Sequence, residues 1–153
     1  MAVSTIDGTL EEAVVKRSYA RATSYERLRF RLADGREEVL TRIVADKSLA
    51  ERLQPGTKGP FYLFKVIDHK GVCGLRDAAG GAWFAFARGA ENGMLISIAV
   101  GASALVLSVL LKTWITSWAV ISLLIGLPMY IVYRTARQEA ERRFAADDGR
   151  SFP

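Results

Sequence analysis

Residues 94–111 and 114–133 form two nearly continuous apolar runs without one charged side chain, separated only by Lys112 and Thr113. Each is about 18–20 residues long, enough for a helix to cross a hydrocarbon core of about 30 Å. Two such runs joined by two residues predict a transmembrane helical hairpin. The rest of the chain must fit around it. We expect a soluble domain over 1–90, the hairpin over 91–133, and a basic tail over 134–153 that begins as helix and then frays.

The formal net charge is +5, and its distribution bears on partners. Up to residue 92 there are 15 Lys and Arg against 12 Asp and Glu; after Tyr133 the counts are 5 and 4. Basic residues beside a span are what cytoplasmic topology requires, so this excess does not call for nucleic acid. Arg88 precedes the first run, and Arg134, Arg137, Arg142 and Arg143 follow the second, while the turn offers only Lys112. The positive-inside rule then predicts a two-span protein of a bacterial inner membrane with both termini in the cytoplasm. Trp114 and Trp118 would mark the outer interface; Tyr130, Tyr133, Arg134 and Arg137 would anchor the inner one. Cys73 is the single cysteine, so no internal disulfide is expected, and residues 1–8 have neither the basic start nor the apolar core of a secretory signal.

Residues 8–87 read as β-rich. Glu26, Leu28, Phe30 and Leu32 alternate with Tyr25, Arg27, Arg29 and Arg31, the period-two pattern of a half-buried strand. Asp34-Gly35 follows, a dipeptide suited to a type I′ hairpin turn. The return strand is expected over 37–44, with Val39, Thr41 and Ile43 on one face, and a first strand over 10–19. Residues 46–53 predict a short helix capped by Asp46. Gln54-Pro55-Gly56-Thr57 ends it. Further strands are expected over 61–67, 71–76 and 82–87, separated by turns at 68–71 and 77–81. Five or six short strands and one helix in about 80 residues point to a small barrel of the OB or SH3-like kind. Glu91-Asn92-Gly93 reads as a polar hinge into the first span. Arg134 to Ala146 is rich in helix formers and should prolong the second span as a helix.

Several groups carry chemistry worth weighing. Arg27, Arg29 and Arg31 form a ladder on one strand face, suited to an acidic partner or anionic lipid headgroups. The plainer reading is a solvated face whose charges are offset by Glu37 and Glu38 on the neighbouring strand. Nucleic acid is disfavoured, because stacking aromatics are scarce there: Tyr19 and Tyr25 alone are near. Trp83 should point away from Phe84 and Phe86, one set filling the barrel and the other free to meet a bilayer or a partner. His69, beside Asp68 and Lys70, is too isolated for a zinc site or a triad. Cys73 reads as a small core residue, and the Gly-rich segments match no phosphate loop. We therefore expect no catalytic, cofactor-binding or metal-binding residues and no enzyme. On the spans, Ser97, Gly101 and Ala104 on the first and Ser122 and Gly126 on the second offer small-residue packing, either within the hairpin or as a seam for a second copy or another membrane protein. Pro128 should bend the second helix.

The expected architecture is thus membrane α+β: a small cytoplasmic β-barrel-like domain, a two-helix anchor and a short helical tail. The layout is similar to that of small bacterial inner-membrane proteins that tether an OB-like or SH3-like module to a hairpin, though no motif names a family. The expected role is a non-catalytic accessory or adaptor subunit that presents its barrel to a larger membrane assembly. Its partners would be membrane lipids and another inner-membrane protein. The alternative is a self-associating scaffold or lipid-organising protein, a homo-oligomer.

Overall fold

A computed structural model describes residues 2–66, 69–77, 80–86, 89–111 and 116–147. The chain divides into two compact units, one made of Met1–Ala87 with Ala136–Pro153 and the other of Arg88–Thr135. The strands of the first are β1 (Ala2–Ser18), β2 (Ala22–Leu32), β3 (Glu37–Asp46), β4 (Lys58–Val66), β5 (His69–Arg76) and β6 (Ala82–Phe84), with α1 (Lys47–Ala50) between β3 and β4. β1 pairs with β2 and β2 with β3, both antiparallel; β3 pairs with β5 in parallel; β5 returns to β4, and β4 to β1. This circuit is a closed five-stranded barrel. β6 extends it by pairing with Gly74–Arg76 of β5.

β1 begins eight residues before the expected first strand. Its first half is mostly polar, with Val3 and Ile6 as its buried side chains, and shows no alternation. Backbone pairing of Ala2–Thr9 with β4 makes it a strand. Residues from Gly8 onward then pair with β2, so one long strand serves both sides of the closure.

The alternation in β2 holds for Leu28 and Phe30, both fully buried, and fails at its start. Tyr25 was expected beside the arginines; it is 2% exposed in the core, its hydroxyl donating to Ala50 O at 3.3 Å. On β3 the same break separates exposed Val39 and Thr41 from Ile43, which is buried. Between them Arg42 takes a φ of 57°, a left-handed value rare outside glycine. Both strands thus change face at the level of Glu26 and Arg42, and such a bend is what lets a sheet curl into a small barrel.

The hairpin between them also differs from the expected type I′ turn. Leu32 N donates to Arg36 O, Gly35 N donates to Leu32 O, and of the turn residues Gly35 has positive φ, at 83°. That is a three-residue turn with glycine in the left-handed position. Asp34 secures it, accepting from Arg36 N at 3.0 Å and from Arg36 Nε at 2.6 Å. These bonds hold its carboxyl below the usual range.

Asp46 caps α1 as expected, accepting from Ser48 N and Ser48 Oγ. The helix is only one turn long, and Leu49 and Leu53 from it and the following turn join the core. That core gathers Leu10, Leu28, Phe30, Ile43, Phe61 and Val72, among others, with Phe30 and Phe61 edge to face at 4.9 Å.

The second unit contains α2 (Gly89–Leu111) and the first part of α3 (Thr116–Ala146). Both are long and apolar enough to cross a membrane. Glu91-Asn92-Gly93 is not a hinge but part of the first turns of α2, where an acidic residue complements the helix dipole. Pro128 sits inside α3.

These placements put Tyr25 and Thr41 on opposite sides of the bend. Tyr25→Ala should cost about 3 kcal/mol or more, as large-to-small core changes do. Thr41→Ala, on the exposed side of the bend, should stay within about 0.5 kcal/mol. Denaturant unfolding of the full chain in detergent measures both, and equal effects would contradict the change of face.

Candidate functional site: the two outer faces of the barrel

β4 and β5 are apolar on both sides. Pro60 to Phe64 are all buried, as are Gly71 to Leu75. Phe61, Leu63, Val72 and Leu75 face the core, which leaves Tyr62, Phe64 and Cys73 for the outside. The end of α3 covers that outer side. Phe144 lies edge to face with Tyr62 at 5.0 Å and tilted on Phe84 at 5.2 Å. Its ring lies so close to Gly74 that an added Cβ there would meet it at 2.8 Å. Arg76 lies over the same ring at 4.4 Å and donates to Phe144 O at 2.7 Å, a cation on the carbonyls of a helix C-terminus. Arg143 donates to Val3 O, and Tyr62 to Asp147 Oδ2 at 2.9 Å. Phe84 and Phe86 belong to this outer layer, Phe86 stacking on Phe64 at 4.4 Å. Trp83 points the other way and packs against the core, with Arg52 over its ring at 5.2 Å.

The opposite face, built by β1, β2 and β3, stays open. Arg27, Arg29 and Arg31 do stand together there, with side chains 50%, 41% and 57% exposed. Their partners are on β1. Arg27 meets Glu12 at 2.8 Å, Arg31 meets Glu11 at 2.8 Å, and Arg29 lies between both carboxylates at 3.6 and 3.7 Å. A bulge explains this. The β1–β2 register steps from Leu10–Phe30 to Glu12–Arg29, leaving Glu11 as the extra residue, so two successive carboxylates reach one arginine column. Glu37 contributes a looser contact to Arg31 at 3.8 Å. Glu38 does not offset the ladder: it pairs across from Phe30 and lines the mouth of the barrel with Leu40, Ile43, Lys65 and Lys70. The face therefore carries three arginines and three glutamates, with Val39 and Thr41 beside them.

The other expected residues fall as follows. Cys73 is fully buried, its thiol donating to Tyr62 O, and burial pushes it up to about 12. A thiol held neutral in this way is inert. His69 is exposed at the start of β5, and Asp68 lies outside the described residues. Among the described residues no three His, Cys, Asp or Glu side chains converge as a metal site would need. The barrel mouth encloses about 190 Å³, and a polar cleft by Glu51, Gln54, Thr57, Asp77 and Trp83 about 220 Å³. Both fall below the size of ordinary small-molecule pockets.

In the hairpin, Ser97 and Ser122 hydroxyls meet at 3.2 Å. A Cβ on Gly101 would touch Ser122 at 3.3 Å, and one on Gly126 would touch Ile98 at 3.1 Å. These small residues bring α2 and α3 together, and Ala104 beside them is half-buried. Trp118 is 66% exposed, Arg134 is exposed and Tyr130 half-buried. Tyr133 is buried, and Arg137 pairs with Glu141 at 3.5 Å. Trp114, Arg88 and Lys112 lie outside the described residues.

The contact between the α3 end and the barrel has a pH signature. Burial and the Asp147 carboxylate push the Tyr62 hydroxyl up to about 12 from an ordinary 10.0. A raised value means the fold favours the neutral phenol. Its contribution is complete below pH 10 and disappears as pH rises from 10 toward 12. Tyr62→Phe should cost about 1 kcal/mol near pH 8 and flatten the alkaline fall in stability. Unfolding of both chains between pH 8 and 12 checks this; parallel curves would exclude Tyr62 as the titrating group.

No family model matches this chain, and searches of curated proteins and of solved structures found no match either.

Proposed function

We propose that this chain is a non-catalytic accessory subunit of a bacterial inner membrane, with both termini cytoplasmic, offering its barrel to a larger membrane assembly. Its closed five-stranded circuit, with β3 and β5 parallel, supports an OB-like reading of the module. The exposure of the helices supports the anchor. Only 17% and 22% of the apolar segments of α2 and α3 is buried, whereas a core helix of a soluble protein would be mostly covered. An open groove of about 560 Å³ along α3, lined by Val120, Leu124, Leu127, Pro128 and Ile131 among others, is wholly apolar and suits acyl chains.

The observation that carries the proposal is the contrast between the barrel's two outer faces. The apolar one is covered by the chain's own α3; the β1–β2–β3 face is open and charged. Exposed ion pairs add about 0–1 kcal/mol each, so this ladder is a poor device for stability. As an interleaved pattern of both signs it is well suited to selecting one partner and rejecting others. Its balanced charge weakens the anionic-lipid reading of Arg27, Arg29 and Arg31. With Ser97, Gly101, Ser122 and Gly126 occupied in the hairpin, the self-associating scaffold also loses its proposed seam.

Recovery of the tagged chain from native-host membranes in mild detergent tests this reading. A foreign membrane protein in fixed stoichiometry is expected, and Arg29→Gln with Arg31→Gln should remove it while lowering stability by no more than about 2 kcal/mol. A homogeneous multiple of 16.8 kDa with no second polypeptide would replace the accessory reading by self-association.

A further inference from the structure

The arginines of the ladder are neutralised, yet the chain as a whole is +5. Part of that excess is concentrated at the tip of the β1–β2 hairpin. Val15 to Arg21 are all exposed, including Lys16, Arg17 and Arg21. Among the described residues none of these three makes an ion pair. The tip folds onto the start of α1, which adds a fourth cation: Lys47 N donates to Arg21 O at 3.1 Å, and Lys47 Nζ to Ser18 Oγ at 3.2 Å. Asp46, the acid of this corner, turns its carboxylate to Ser48 as the helix cap. Two large side chains stand out among the cations, Val15 at 53% exposed and Tyr19 at 55%. The register shift between Val15 and Arg17 leaves Lys16 as the extra residue of a bulge, and the shift between Val14 and Val15 leaves Glu26 of β2 as another.

We propose that this tip, formed by Val15, Lys16, Arg17, Tyr19 and Arg21 with Lys47, docks on anionic lipid headgroups. It rests on the membrane-anchored reading above. Charge complementarity argues for it, since basic side chains near a bilayer are drawn to the negative cytoplasmic leaflet. So does the pairing of cations with an exposed tyrosine and valine, because an amphipathic ring settles at headgroup level and an aliphatic group just beneath. A single-stranded nucleic acid would want several stacking rings along a basic groove; here one tyrosine stands at a convex tip. The role follows: the anchor supplies proximity, and the tip limits the barrel's orientation by binding the leaflet's charge.

The test uses the full chain in lipid nanodiscs with an environment-sensitive fluorophore on Ala20→Cys. Ala20 is exposed, and the native Cys73 is fully buried, so labelling is confined to the tip. Emission should shift to the blue in discs containing phosphatidylglycerol relative to phosphatidylcholine alone. The shift should disappear in 0.5 M salt, roughly where screening falls to a few ångströms. It should also disappear with Lys16→Gln, Arg17→Gln and Arg21→Gln together. Equal emission in both discs, or a shift that survives the triple change, would overturn the proposal. A shift produced by an added oligouridine instead of by phosphatidylglycerol would overturn it in favour of nucleic acid. Failure of the chain to incorporate into either disc would sink the membrane reading and this one with it; incorporation without a lipid-dependent shift would sink the tip alone.

Discussion

β4 is apolar on both faces, and that one constraint organises the first unit. A strand buried on both sides needs a layer on each. Inside, Phe61 and Leu63 meet the core of β1, β2 and β3. Outside, Tyr62 and Phe64 cannot be left to water, and the chain answers with Phe144, 82 positions beyond Tyr62. Such separation is a smaller obstacle than it looks, because each doubling of a loop adds only about 0.6 kcal/mol to the closure cost. Burial of an aromatic side chain contributes about 1.5–3 kcal/mol, and favourable ring geometry about 1 more. Phe144 thus has enough to hold the end of a helix, with Arg76 and Tyr62 fixing its position by hydrogen bonds.

Covering one face by the chain itself decides what remains for others. The uncovered surface is charged, and its charges come in two kinds. On the β1–β2–β3 face they are paired within the fold, so an approaching group must match a pattern of both signs. At the hairpin tip no described residue forms an ion pair with Lys16, Arg17 or Arg21, so any sufficiently dense negative surface attracts them. The first arrangement discriminates and the second attracts.

How much of this could be read beforehand depends on how local each cause is. Leu28 and Phe30 announce their strand because alternation is a local property, and Asp46 announces its helix for the same reason. The bend at Glu26 and Arg42 does not, since barrel closure forces it, and period-two alternation therefore places Tyr25 on the wrong face. The arginine column was legible, but its partners were not. A bulge at Glu11 is invisible to a period-two count, which pointed to Glu37 and Glu38. Ala2–Thr9 carries no local strand signal, because pairing with β4, distant in sequence, makes it a strand. The helical character of the tail follows from its alanines, glutamates and arginines. Its docking hangs on Phe144, one aromatic in a charged segment that gives no sign of the surface it meets.

The 31 residues of α3 also link composition to layout. At about 1.5 Å per residue it extends about 46 Å, well beyond the roughly 30 Å of a hydrocarbon core. The surplus cannot be apolar if the helix spans a bilayer, and it is not: from Arg134 onward the sequence turns to arginine and glutamate. From Ala136 on, this charged stretch belongs to the same unit as the barrel. One continuous helix thus carries two solvent preferences in succession, apolar where Val120, Leu124 and Leu127 lie exposed and charged where Arg143 and Phe144 bond the barrel. A soluble helix that only capped a barrel would have no need of the first half, and a simple anchor would have no need of the second.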